Sequence, residues 1–87
     1  MKSFNFTKEG LPLDPNDSQD VDKKVIAAMS AALLHISEQY AKEYALGNLK
    51  RTLIDTGKEI LVLSKRGENG LLTIFEDKSE LSEFKDV

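Results

Sequence analysis

The chain predicts an α+β domain, a five-stranded antiparallel sheet with one long central helix in the order β-β-α-β-β-β-α. Three observations carry this. Residues 18–47 keep a helical periodicity with no Pro or Gly before Gly47. Stretches on both sides of that helix are extended in character, either alternating apolar and polar residues or running apolar on both faces. Turn signals at Lys8-Glu9-Gly10, at Thr56-Gly57-Lys58 and across residues 66–70 (RGENG) divide those stretches into hairpins.

In chain order, residues 3–7 (SFNFT) place Phe4 and Phe6 on one face of a short, half-buried strand. Leu11-Pro12-Leu13 returns as a second strand, at a sheet edge because Pro12 cannot donate to a ladder. Residues 14–20 (DPNDSQD) form a polar loop. The helix that follows spans roughly 44 Å at 1.5 Å per residue. Asp17, Ser18 and Asp20 offer acceptors for its first N–H groups, and Gly47 suits the left-handed position after its end. Residues 48–55 (NLKRTLID) make a third strand, with Leu49 and Leu53 on one face. Residues 59–65 (EILVLSK) and 71–76 (LLTIFE) read as strands covered on both sides, joined by a turn that holds the Asn69-Gly70 pair. Asp77 and Glu80 then open a short last helix carrying Leu81 and Phe84.

The long helix is apolar on two sides. Val21, Val25, Met29, Ala32, Leu33, Ile36, Tyr40 and Tyr44 form a wide face, expected to lie on the sheet. Ala27, Ala31, Leu34, Glu38, Ala41 and Ala45 form a narrower stripe, spaced like a helix–helix seam and expected to meet a second molecule. The far face of the sheet has little to cover it, which predicts there either an exposed apolar patch of a few hundred Å² or a further contact, within the oligomer or with a partner.

The Glu9-Gly10-Leu11-Pro12-Leu13 turn, the acidic loop and the Ala-rich helix VxxxVIAAMSAALL, followed by three strands, resemble the roadblock/dynein-light-chain family from about Phe4 to Phe75. Members carry an amphipathic helix before the first strand, whereas here only Met1-Lys2 stand there. The resemblance implies a roadblock-like or profilin-like fold that dimerises through the central helix and the third strand. The interface would then hold Ala27, Ala31, Leu34, Glu38, Ala41, Ala45, Leu49 and Leu53. It also implies a non-catalytic homodimeric adaptor or scaffold that engages a Ras-like small GTPase or a related scaffold protein. Lys24, His35, Lys42 and Arg51 are the candidate partner contacts, together with the loop of residues 14–20.

Composition narrows the remaining classes. Eighty-seven residues make a single domain, 1–87, and a net charge of −3 gives no long-range pull on nucleic acid. No apolar run reaches the roughly 18 residues of a membrane span. The N-terminus lacks a signal-peptide core, and the absence of cysteine excludes disulfides and thiolate chemistry. A cytoplasmic protein fits. Asp14, Asn16 and Ser18 have the first spacings of a calcium loop, but Gln19 and Val25 stand where its Gly and Glu belong, so the loop reads as a cap. Gly57-Lys58 lacks the rest of a phosphate loop. His35, the only histidine, has no partners at triad or zinc spacing. No cofactor or metal is expected. The second function class, a small-molecule sensor of the profilin-like or PAS-like kind, would need a pocket with polar groups to orient its ligand.

Overall fold

The computed structural model describes residues 2–76. Helix α1 spans Val21–Glu43, shorter at both ends than expected. Asp20 fixes its start: its backbone is extended, and its carboxylate accepts from the N–H groups of Asp22 (2.9 Å) and Lys23 (3.2 Å). These are two of the donors that a helix start leaves without partners. The chain before it forms a separate 3₁₀ turn, Pro15–Gln19, capped by Asp14, which accepts from the Asn16 N–H at 2.9 Å. Lys23 ties the two together by donating to Asp17 Oδ1 at 2.7 Å. That hydrogen bond, and then the charge of Asp17, raise the lysine above its ordinary pKa. The tie is therefore intact at neutral pH and is lost only as pH rises through the raised value.

At its other end α1 closes on Ala45, not on Gly47. Ala45 has φ +52°; its N–H donates to the Lys42 carbonyl (3.2 Å) and the Leu46 N–H donates to the Ala41 carbonyl (2.9 Å). This is the paired closure of a Schellman motif with alanine in the left-handed position.

Strands β1 (Lys2–Phe6), β2 (Arg51–Asp55), β3 (Ile60–Arg66) and β4 (Asn69–Phe75) make one antiparallel sheet in the order β1-β4-β3-β2. Among the described residues there are thus four strands, not five. Residues 11–13 supply only a bridge from Pro12 to Phe6. It is flanked by bonds from the Thr7 N–H to the Leu11 carbonyl (2.7 Å) and from the Leu13 N–H to the Asn5 carbonyl (3.0 Å). Pro12 cannot extend the ladder, and Asp14-Pro15 immediately turns the chain into the 3₁₀ helix. The β3–β4 hairpin turns on Gly67 (φ +64°) with Arg66 paired to Asn69, so Asn69-Gly70 lies inside β4. The expected last helix with Leu81 and Phe84 lies outside the described residues.

Pairing register divides the sheet into two faces. Phe6, Leu63 and Leu72 join Ala27 and Leu34 in the main core, with Phe4, Leu49, Ile54, Leu61 and Ile74 packed against it. On the far face Ile60, Val62 and Phe75 form a second cluster, none more than 6% exposed. The apolar patch expected there is therefore not found at these residues.

The two helix stripes exchange roles. Ala27, Leu34 and Ala41, with Ser30, are the buried positions of α1. Small side chains let the helix axis come close to the sheet, where Phe6, Leu63 and Leu72 supply the bulk. The wide face points outward. Two glycines permit this closeness. Gly10, at φ +90°, brings the turn after β1 so near that a Cβ would stand 3.1 Å from the Ala28 Cα. At Gly70 a Cβ would fall within the ring of Phe6, its cross-strand neighbour.

Two substitutions probe these points, with thermal unfolding followed by circular dichroism. Ala45→Gly removes a left-handed alanine and stabilises by about 1 kcal/mol, raising Tm by about 4–8 °C. Gly70→Ala displaces the Phe6 ring and costs about 1–3 kcal/mol.

Candidate interaction surface

The outward face of α1 carries Val21, Val25, Met29, Ile36, Tyr40 and Tyr44, each at least half exposed. Leu33 and Ile26 lie at its margin, and the rings of Tyr40 and Tyr44 stack with centroids 5.0 Å apart at 41°. An α1 of 23 residues thus holds a near-continuous apolar stripe along its length. Exposed apolar stripes of this kind mark contact surfaces.

Beside the C-terminal half of this stripe runs β2, the edge of the sheet. A groove of about 610 Å³ separates them, lined by Ile36, Tyr40, Leu46, Leu49, Arg51 and Thr52 among others. The direction of the free backbone groups of β2 follows from its hairpin. The Thr56 N–H donates to the Glu59 carbonyl at 3.0 Å, which makes that couple a hydrogen-bonded one. Alternation then points Ile54 and Thr52 at β3, and turns the N–H and C=O of Arg51, Leu53 and Asp55 outward. Leu53 is 48% exposed.

The sequence-predicted interface residues do not gather on this surface. Ala27, Leu34 and Ala41 are buried in the chain's own core, so no second copy can reach them without unfolding it. Ala31 packs against that core, beside the Gly10 turn. Glu38 is engaged by Lys65 at 2.8 Å. Leu49 packs on the core, and Ala45 is exposed just beyond the helix. Only Leu53, of the eight, lies on the open edge. The physical reason is the exchange of stripes: the alanines serve close helix–sheet packing.

Of the candidate partner contacts, Lys24, His35 and Lys42 fall on one exposed flank of α1, while Arg51 stands apart on β2. In the loop, Asp14 and Asp20 are taken up by capping and Asp17 by Lys23. His35 lines a small recess of about 80 Å³ with Lys8, Glu38, Lys65 and Glu68. Among the described residues no group of His, Asp and Glu has the arrangement of a metal site. A second groove of about 560 Å³, between β1 and the start of α1, is floored by Phe4, Leu72 and Ile74, and the two charged groups at its wall, Lys23 and Asp17, are paired with each other. Among the described residues no helix is long and apolar enough to cross a membrane.

What sequence reasoning missed was the direction of the wide face, Val25, Met29, Ile36 and Tyr40. The signal was residue size: a helix lying tightly on a sheet of Phe and Leu turns its small residues inward.

The pattern of the Roadblock/LC7 domain matches residues 6–76 of the chain. Among solved structures, a Roadblock/LC7 domain from Streptomyces avermitilis superposes with a TM-score of 0.70 at 15% identity, over 93% of this chain and 72% of that one. MglB of Myxococcus xanthus superposes with a TM-score of 0.72 at 19% identity, over 87% of this chain and 63% of that one. At these identities the likeness is one of fold. No curated protein matches.

The orientation of α1 is tested by paired substitutions. Ile36→Glu, on the outward face, leaves monomer stability within about 0.5 kcal/mol. Leu34→Ala, on the inward face, costs about 2–5 kcal/mol. Urea unfolding of the two variants at low protein concentration reads the difference.

Proposed function

The chain belongs to the Roadblock/LC7 domain family, and from that premise we propose that it is a non-catalytic cytoplasmic adaptor, a homodimer that engages a Ras-like small GTPase or a related scaffold protein. The observation that carries this reading is the outward apolar face of α1, with Val25, Met29, Ile36 and Tyr40 beside the open edge of β2. A second copy laid on the half of α1 next to β2 covers Ile36 and Tyr40. The start of α1, with Val21 and Val25, then stands as the platform for the partner. The flank of Lys24, His35 and Lys42 supplies polar contacts at its margin. With a net charge of −3, docking depends on shape and a few desolvated anchors more than on steering.

If the dimer stimulates GTP hydrolysis directly, it does so with an arginine placed against the developing phosphate charge. Arg51 and Arg66 are the only two in the chain.

Sedimentation of the wild type at micromolar concentration gives a dimer, and Ile36→Glu gives a folded monomer. In titrations against the small GTPases of its own host, loaded with a non-hydrolysable nucleotide, the dimer binds one of them and Val25→Glu weakens that binding about tenfold or more. Absence of binding in both nucleotide states removes the GTPase from the reading.

A further inference from the structure

We propose that the groove between α1 and β2 binds a small carboxylate with an apolar body, and that Lys50 and Thr52 hold its head. This goes beyond the adaptor reading and does not rest on it, because the groove is formed within one chain. Its volume of about 610 Å³ falls in the range of small-ligand sites, roughly 300–1,000 Å³. Its walls divide by chemistry: Ile36, Leu46 and Leu49 supply apolar surface, and Lys50 and Thr52 supply donors. A ligand that fits both needs an apolar body and a head that accepts hydrogen bonds.

Charge selects the head. The lining holds two cations, Lys50 and Arg51, and no Asp or Glu, in a chain whose net charge is −3. Among the described residues neither cation has an ion pair. The neighbouring grooves carry their own counter-charge. Asp14 and Asp17 line the one beside β1, where Asp17 already holds Lys23, and Glu38 and Glu68 line the recess at His35. An anion entering either of those meets a carboxylate, and one entering the groove at β2 meets none. A second observation comes from the strand itself. Thr52 Oγ1 is buried and has no hydrogen-bond partner among the described residues, and Thr52 shares the inward side of β2 with Ile54. A buried hydroxyl without a partner is costly. In the proposed complex a turn about χ1 presents it to the head, so that one carboxylate oxygen accepts from Thr52 and the other faces Lys50. Such charge-assisted bonds fix the head, while the apolar body covers Ile36, Leu46 and Leu49. Ile36 and Tyr40 also belong to the half of α1 that a second copy covers, so ligand and second copy compete for one surface.

The test uses the full chain, diluted until sedimentation shows the monomer, and three probes with one tail: octanoate, octanol and octylammonium. Equilibrium dialysis gives the affinities. Tyrosine fluorescence gives the location, because the chain has no tryptophan and only two tyrosines, of which Tyr40 lines the groove and Tyr44 stacks on it. Octanoate binds at least about tenfold tighter than octanol or octylammonium and changes the tyrosine emission at the same concentrations. Lys50→Glu, at an exposed position, weakens octanoate about tenfold or more and leaves octylammonium no weaker. Thr52→Val, which keeps the shape and removes the hydroxyl, weakens octanoate about threefold or more while the Tm of the free chain does not fall. A threonine with a structural role alone would lower Tm and leave the preference for octanoate unchanged. Octanoate that binds no tighter than octanol, binding that leaves the tyrosine emission unmoved, or either variant retaining wild-type affinity for octanoate overturns the proposal.

Discussion

Ala27, with no exposed surface, packs into one cluster with Phe6, Leu63 and Leu72, and this contact sets the distance between α1 and the sheet. A methyl group at the closest point brings the helix backbone down onto the strands, and a larger residue there would lift the whole element. Leu34 and Ala41 continue the contact along the helix. The neighbouring parts accommodate the same closeness. Gly10 tucks the turn after β1 against Ala28, and Gly70 leaves room for the Phe6 ring that fills the core beneath. With the inward face occupied by small residues, the bulky ones have nowhere to go but out. The outward apolar face is thus a consequence of the packing: the residues that do not fit between helix and sheet are left exposed.

Much of this was legible in the sequence. The long helix, the three strands after it and the antiparallel pairing all follow from periodicity and turn residues. Two apolar stripes on α1 were also plain, and so was the inference that one of them needs a partner. Their assignment was not plain, because periodicity gives the angle between stripes but not which one faces inward. Side-chain volume decides that, and it depends on the Phe and Leu content of a sheet whose register periodicity does not supply. The ends of the helix show a similar limit. Ser18 and Asp20 are both competent caps, and Pro15 settled the choice by starting a separate 3₁₀ turn. Gly47 was the obvious residue for a left-handed close, yet Ala45 takes it, because the orphan carbonyls of Ala41 and Lys42 are already satisfied there. Residues 11–13 stop at a single bridge instead of a strand, because Pro12 interrupts the donors that a strand needs and the chain turns at Asp14-Pro15.

The two edges of the sheet differ in a way that bears on function. An edge strand is a template for pairing, and soluble proteins blunt it with charge, proline or a covering segment. At β1 such devices are present: Lys2 stands at its start, and residues 11–13 bridge its other end through Pro12. At β2 no segment among the described residues pairs with the outer side of the strand, and no proline lies in it. The charges that might guard it, Arg51 and Asp55, are of opposite sign and sit symmetrically about Leu53. The β2 edge is thus left open among the described residues. It lies against the same groove as Ile36 and Tyr40, so the unpaired backbone and the uncovered side chains meet on one side of the molecule. Neither feature would hold a partner well by itself, since an edge alone gives few contacts and a helix face alone gives no register. Together they supply burial from the helix and alignment from the strand, the two things that a stable and specific association requires.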